Sequence, residues 1–278
     1  MPLPQILTGL SEIARDYDAL VCDVWGVLHD GAVARLDAIA ALKRFRETRG
    51  RVVLLSNAPR PKRDVEELFV RRFGVTLDCC DEIVTSGIAT RTALERRRPK
   101  TMYHLGPERD QGIFEGLGIE LTGIAGAEIV LNSGLFDDDV ETPDDYKEPL
   151  AEMKARGLPM LCANPDWVVQ RDGKLIWCAG ALADTYEKLG GEVVYYGKPM
   201  PAIYDAVREA LPGAERMLAI GDGLHTDIKG ANRAGIDALF IADGIHGEDV
   251  TEMTGEHMAK LFAEAGVNAR AAMRALTW

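Results

Sequence analysis

Four groups of residues in this chain have the types and spacing for chemistry: Asp23, Ser56, Lys198 and the pair Asp222/Asp227. Each stands at the end of a short apolar run: Leu20-Val21-Cys22 precedes Asp23, Val52-Val53-Leu54-Leu55 precedes Ser56, residues 192–196 precede Gly197-Lys198, and Met217-Leu218-Ala219-Ile220 precedes Gly221-Asp222. A carboxylate can attack phosphorus and form an acyl phosphate. Carboxylates beside it can hold a divalent cation through hard oxygen ligands. A hydroxyl and an ammonium can stabilise charge on a transferring phosphoryl group. Taken singly each signal is ordinary, since Ser-Asn-Ala-Pro is turn chemistry and lysines are usually solvated. Their common position is not ordinary, because the carboxyl ends of parallel strands converge on one edge of a sheet.

The elements that would position these residues alternate along the chain. Residues 6–15 read as a short leading helix. Leu36, Ile39, Ala40, Leu42 and Phe45 recur at helical spacing and stop at Gly50, a second buried strand leads into Ser56-Asn57, and Pro61 suits a helix start with Val65, Leu68 and Phe69 on its face. Strand and helix in alternation predict a parallel sheet with right-handed crossovers. From about residue 82 to 191 the alternation is less regular. Strands are expected at 102–105, 129–131 and 158–162, and a helix over 144–156 with Thr142 as its cap and Pro143 in its first turn. Residues 167–170 and 174–177 flank Arg171-Asp172-Gly173, a hairpin signal. The last third returns to clear strands at 192–197, 217–220 and 238–241, with helices after Pro199 and up to Gly235.

Composition bounds the function. The formal charge of −12 opposes a nucleic-acid surface, which needs clustered lysine and arginine. No apolar run approaches membrane-spanning length, and the first residues lack the basic flank of a signal peptide. Cys22, Cys79, Cys80, Cys162 and Cys178 form no Cys-x-x-Cys pair and are odd in number, so reduced thiols in a cytoplasmic protein are expected.

Asp23-Val24-Trp25-Gly26-Val27-Leu28, Ser56-Asn57, Gly197-Lys198-Pro199 and Gly221-Asp222-x-x-x-Thr226-Asp227 resemble, in order, the four motifs of the haloacid dehalogenase superfamily. The long segment between the second and third, with Asn164-Pro165-Asp166 inside it, looks like the α/β cap of the class IIA phosphatases. The resemblance implies a Rossmann-like parallel-sheet α/β core over residues 1–82 and 192–278, with an inserted C2-type cap over 83–191. It implies Mg²⁺-dependent hydrolysis of a small phosphorylated metabolite through an aspartyl-phosphate. Carried over residue by residue, Asp23 is the nucleophile, Ser56 and Asn57 bind phosphate, and Lys198 orients both. Asp23, Asp222, Asp227 and the backbone carbonyl of Trp25 would serve the metal. Asn164, Asp166, Arg171 and Trp177 are the cap candidates for substrate contact, and homodimerisation through the cap is common among look-alikes.

One position departs from the pattern. Family phosphatases carry a second aspartate where this chain has Trp25, the group that protonates the leaving oxygen and then activates water. His29 and His225 are the candidate substitutes, with ordinary pKa values suited to the task. Superfamily dehalogenases carry an aromatic here, which makes a metal-free haloacid dehalogenase the rival enzyme. A protein that binds or senses a phosphorylated ligand with little turnover is the non-enzymatic alternative.

Overall fold

Ala19–Asp23 forms a strand whose five residues are all buried, as a strand covered on both faces requires. In the computed structural model, which describes residues 3–171, 174–244, 250 and 252–278, this strand lies inside a seven-stranded sheet. The strands of that sheet are β1 (Gln5–Ile6), β2 (Ala19–Asp23), β3 (Arg51–Ser56) and β4 (Glu82–Thr85), then, after the chain has built a second sheet, β12 (Met217–Gly221), β13 (Asp237–Ile241) and β14 (Ala271–Met273). Their spatial order is β1-β14-β13-β12-β2-β3-β4, and every pairing from β1 to β3 is parallel. Ala19 and Val21 pack with Ile203, Val207, Phe240 and Phe262, and the pleat turns Leu20 and Cys22 to the other face. The helix Leu36–Thr48 buries Ile39, Leu42 and Phe45, as its spacing predicts.

The second sheet is parallel throughout: β5 (Thr101–Leu105), β6 (Glu120–Leu121), β7 (Ile129–Asn132), β8 (Met160–Cys162) and β11 (Val193–Tyr195), in the order β11-β8-β7-β5-β6. Leu150, Met153, Leu182 and Tyr186, from the helices Lys147–Ala155 and Ala179–Lys188, pack with Val130 and Met160. Leu94 and Ile113 pack with Met102 and Leu161. Thr142 opens the 144–156 region as expected: its N–H and hydroxyl both bond to Asp145, which closes a first turn of 3₁₀ type before the α-helix begins. β9 (Val168–Arg171) and β10 (Lys174–Trp177) pair antiparallel as the hairpin signal predicts, with Asp172-Gly173 at its tip outside the described residues.

The chain packs as two compact units, Met1–Ser56 with Glu66–Val84 and Lys198–Trp278, and Asn57–Val65 with Thr85–Gly197. Residues 57–65, drawn with the first unit on sequence, group with the second. There Asn57 Nδ2 donates to Asp166 at 2.8 Å, the Thr85 hydroxyl donates to the carbonyl of Arg60 at 2.5 Å, and Arg60 pairs with buried Asp110 at 3.1 Å. The leading helix over 6–15 does not form. Gln5–Ile6 joins the sheet edge beside β14, and the remainder makes two 3₁₀ turns, Leu10–Glu12 and Ala14–Asp16. Among the described residues no helix is long and apolar enough to cross a membrane.

Candidate active site

Three adjacent strands of the first unit end together. Asp23 is the last residue of β2, Ser56 the last of β3, and Asp222 the first beyond β12. The register places Asp23 against Leu55 and Cys22 against Ile220, so the sheet itself puts the carboxylates and the hydroxyl on one edge. Lys198 arrives from the start of the chain's final segment. Its Nζ donates to Asp23 Oδ1 at 2.5 Å and to Asp227 Oδ1 at 2.7 Å. The Val24 N–H also donates to Asp23 Oδ1, at 2.7 Å. Both bonds fall on one oxygen, which leaves Oδ2 outside the hydrogen bonds of the described residues.

All of these groups are buried: Asp23, Ser56, Lys198, Asp222 and Asp227 expose 7% of their surface or less. Burial, then the Asp227 and Asp222 carboxylates, push the Asp23 carboxyl well above its usual range against the pull of Lys198. Burial works to neutralise Lys198, but Asp227 and Asp23 outweigh it and hold the ammonium charged. Asp23, Asp222 and Asp227 each offer an oxygen within 4.8 Å of the others. Three carboxylates gathered around one ammonium offer hard oxygen donors of the kind that fit Mg²⁺. Asp227 is held on its second oxygen as well, since its Oδ2 accepts from the Gly223 N–H at 3.1 Å and the Thr226 hydroxyl at 3.3 Å.

Two glycines box in Asp222, and sequence reasoning missed their task. A Cβ at Gly26 or at Gly244 would collide with the Asp222 carboxylate. Gly26 also has φ +87°, a left-handed conformation that side chains disfavour. The signal was there in a glycine just past the strand-end aspartate, but a close approach to a residue 196 positions on is invisible locally.

His29 is a correction. It is buried at 2% exposure, its Nδ1 accepts from the Gly31 N–H at 3.0 Å, and its ring stands against Trp25, Phe69 and Phe73 at centroid distances of 4.6, 5.2 and 5.2 Å. Burial lowers its pKa from 6.5 to about 4, so at neutral pH the ring is the uncharged imidazole and lacks the acidic proton of an imidazolium. His225 is exposed on the turn of residues 224–228. Between pH 6.5 and 4 the unfolded chain carries the extra proton on His29, so stability is full above the unfolded value and falls on acidification. About 2 kcal/mol of that contribution is expected to be lost by pH 5. In His29→Gln the drop in urea-unfolding free energy between pH 7 and pH 5 should shrink by about that amount. An unchanged drop would show that His29 is not a buried neutral histidine.

In the second unit, Asn57 and Asp166 are brought together, and Asn164 Oδ1 accepts from the Asp166 N–H at 3.0 Å. Arg171 is engaged by Asp138 at 3.2 Å and Asp139 at 2.6 Å, a pairing the hairpin signal did not foretell. Trp177 lies on β10, 37% exposed, opposite Val168.

Comparison with known proteins gives the same family from independent directions. A family described as haloacid dehalogenase-like hydrolase matches residues 20–120, and a second, HAD-hydrolase-like, matches residues 195–265. Ribonucleotide monophosphatase NagD of Escherichia coli (strain K12) is 29% identical over 237 residues, 83% of this chain and 89% of its own. The fold is shared with glycerol phosphate phosphatase from Mycobacterium tuberculosis in complex with magnesium, at TM-score 0.64 and 23% identity over 84% of this chain and 70% of that one. A crystal structure of a haloacid dehalogenase-like family hydrolase from Brucella suis 1330 is 40% identical, covers 99% of this chain and 100% of its own, and superposes with TM-score 0.87. Identity of that order along the whole length places this chain among the haloacid dehalogenase-like hydrolases.

Proposed function

We propose that this chain is a Mg²⁺-dependent phosphatase of small phosphorylated metabolites, working through an aspartyl-phosphate. The observation that carries the reading is Lys198, which bridges Asp23 and Asp227 inside a cluster of three buried carboxylates. The Escherichia coli relative, a ribonucleotide monophosphatase, supports it. Asp23 Oδ2 is the attacking oxygen, while Oδ1 is held by Lys198 and the Val24 amide so that the carboxylate cannot turn away. The Ser56 hydroxyl and the Lys198 ammonium face the charge on the phosphoryl oxygens. Asp23, Asp222, the Trp25 carbonyl and Asp227 would hold Mg²⁺, which when bound neutralises phosphoryl charge. Asp227 also fixes Lys198 and the 223–226 turn.

For substrate contact we assign Asn57, Asn164 and Asp166 first. Arg171 and Trp177 follow, with Arg171 already neutralised by its two aspartates. We place the protein in the cytoplasm, pairing with a second copy through the cap. A metal-free dehalogenase has no use for three buried carboxylates against one cation, which repel one another without a metal. Turnover of a panel of phosphate esters with and without Mg²⁺ tests the reading, and halide release from haloacids without metal would replace it.

The metal reading has its own test. Asp222→Asn keeps the shape between the two glycines and removes one charge, so Mg²⁺ affinity measured by calorimetry should fall tenfold or more, roughly the loss of one charged ligand contact. Unchanged affinity in the folded variant would remove Asp222 from the site.

A further inference from the structure

The two residues that face the phosphoryl charge stand one peptide away from where the chain changes units. Ser56 ends the first segment of the first unit and Asn57 opens the second unit, while Gly197 ends the second unit and Lys198 resumes the first. Inside the second unit these crossing points are braced against each other. Gly197 has φ +127°, and a Cβ there would stand 2.6 Å from Asn57 Oδ1, 2.7 Å from Ser86 Oγ and 2.8 Å from Pro165 Cδ. Only glycine lets backbone and side chains come so close. The Ser86 hydroxyl donates to the carbonyl of Tyr196, the residue before Gly197. Asn57 is buried, and its Nδ2 donates to Asp166 Oδ1 at 2.8 Å. An ionised carboxylate only accepts, so that bond fixes which way the amide points. Asp166 stands on a turn that is itself pinned. Its N–H donates to Asn164 Oδ1 at 3.0 Å, its carbonyl accepts from the Gly180 N–H at 3.0 Å, and the Trp167 carbonyl accepts from the Cys178 N–H at 2.8 Å. A Cβ at Gly180 would lie 2.3 Å from the Pro165 carbonyl oxygen and 2.5 Å from that of Asp166, so the helix start and the turn are pressed together.

We infer that Asp166 is a positioning residue for phosphate: by holding Asn57 it fixes the peptide that joins Asn57 to Ser56, and with it the hydroxyl that binds the phosphoryl group. The inference rests on the phosphatase reading and gives Asp166 a task in addition to substrate contact. A hydrogen bond to a charged acceptor is about twice as strong as one between neutral groups, enough to keep the Asn57 side chain in one orientation. The same hold keeps Asn57 Oδ1 against Gly197, so one carboxylate of the second unit steadies both Ser56 and the start of the segment that carries Lys198. Misplacing a binding group by about 1 Å can cost about 10²-fold in rate. The phosphoryl group is common to every ester, so the loss should fall on all substrates alike. It should also fall on inorganic phosphate, which has no organic part. A residue that served only to contact the organic part of the substrate would leave inorganic phosphate bound as before.

The test is competitive inhibition by inorganic phosphate, measured with Mg²⁺ against turnover of an aryl phosphate by the intact chain. The parent is compared with Asp166→Ala, with Asn57→Asp, and with the reciprocal double variant Asn57→Asp/Asp166→Asn. In Asp166→Ala the inhibition constant should rise about tenfold or more, the loss of one charge-assisted hydrogen bond, and kcat/KM should fall by a similar factor for aryl and alkyl esters. Asn57→Asp sets two carboxylates against each other and should do at least as much damage. The double variant rebuilds the bond in reverse, with the amide at position 166 donating to the carboxylate at 57, and should recover most of the phosphate affinity. General damage to the fold would instead make the two losses add. If Asp166→Ala does not fold, the Asn57→Asp variant and its rescue carry the test. An unchanged inhibition constant in folded Asp166→Ala, or additive losses in the double variant, would overturn the inference and leave the phosphatase reading intact. A parent that turns over no phosphate ester would sink both.

Discussion

Replacing Asp23 by asparagine is expected to abolish phosphatase turnover while leaving the protein folded. The side chain keeps its size, and its remaining carbonyl oxygen can still accept from Lys198 and the Val24 amide, the two bonds that now reach Oδ1. What disappears is the negative oxygen able to bond to phosphorus. Loss of a nucleophile from a site that works as a unit costs about 10⁴-fold or more, so initial rates should fall to the background of the assay. The melting temperature should hold or rise, because one of three mutually repelling buried carboxylates has been neutralised. Acid-stable radiolabel on the parent after quenching with a labelled substrate, absent from the variant, would identify the intermediate. Retained turnover in Asp23→Asn would mean that water attacks phosphorus directly.

Lys198→Met is expected to have the largest effect on stability. Lys198 exposes 3% of its surface and makes the two ion pairs that compensate Asp23 and Asp227. Methionine fills nearly the same space, so packing changes little and charge changes most. Removing one partner of a buried ion pair typically costs about 3–5 kcal/mol, since the other charge stays buried and unpaired. For a unit of this size that is a fall in melting temperature of roughly 10 °C in metal-free buffer. Mg²⁺ should restore more of the loss in the variant than it adds to the parent, because three carboxylates without the ammonium present a stronger field to the cation. Scanning calorimetry with and without Mg²⁺ measures both shifts. A metal-free fall under about 2 °C would show that the carboxylates are already neutral and need no cation.

Much of the first unit was legible because its central strands are covered on both faces, which writes them as continuous apolar runs. Val52-Val53-Leu54-Leu55 and Met217-Leu218-Ala219-Ile220 could be read without knowing their neighbours, and the residues after them fall on one edge once the sheet is parallel. Residues 6–15 failed for the opposite reason. Their apolar spacing suits a helix, but Gln5–Ile6 is drawn to Ala271–Ala272, a partner that no local pattern announces. The second unit was harder because β6 has two residues and β8 and β11 have three. Strands that short carry little periodicity. Within the site, residue type gave the chemistry but not the commitments. That Arg171 is held by Asp138 and Asp139, that His29 is sealed among aromatic rings, and that Gly26 and Gly244 flank Asp222 all depend on loops meeting across the fold.

The strand order of the first sheet also sets a timetable for biogenesis. β2 and β3 leave the ribosome early, but β2's other neighbour, β12, begins at Met217, after the whole of the second unit has been made. The second unit needs nothing beyond Gly197 to close its own sheet, so it is expected to fold first. Until β12 arrives, the nascent chain displays an unpaired and wholly apolar strand edge at Leu20-Val21-Cys22, a template for aggregation that chaperones must cover. Asp23 meets Lys198 and Asp222 only when that gap closes. A truncated or stalled product ending before Met217 should therefore be insoluble and inert together, and recovery of activity on refolding should report the docking of one strand.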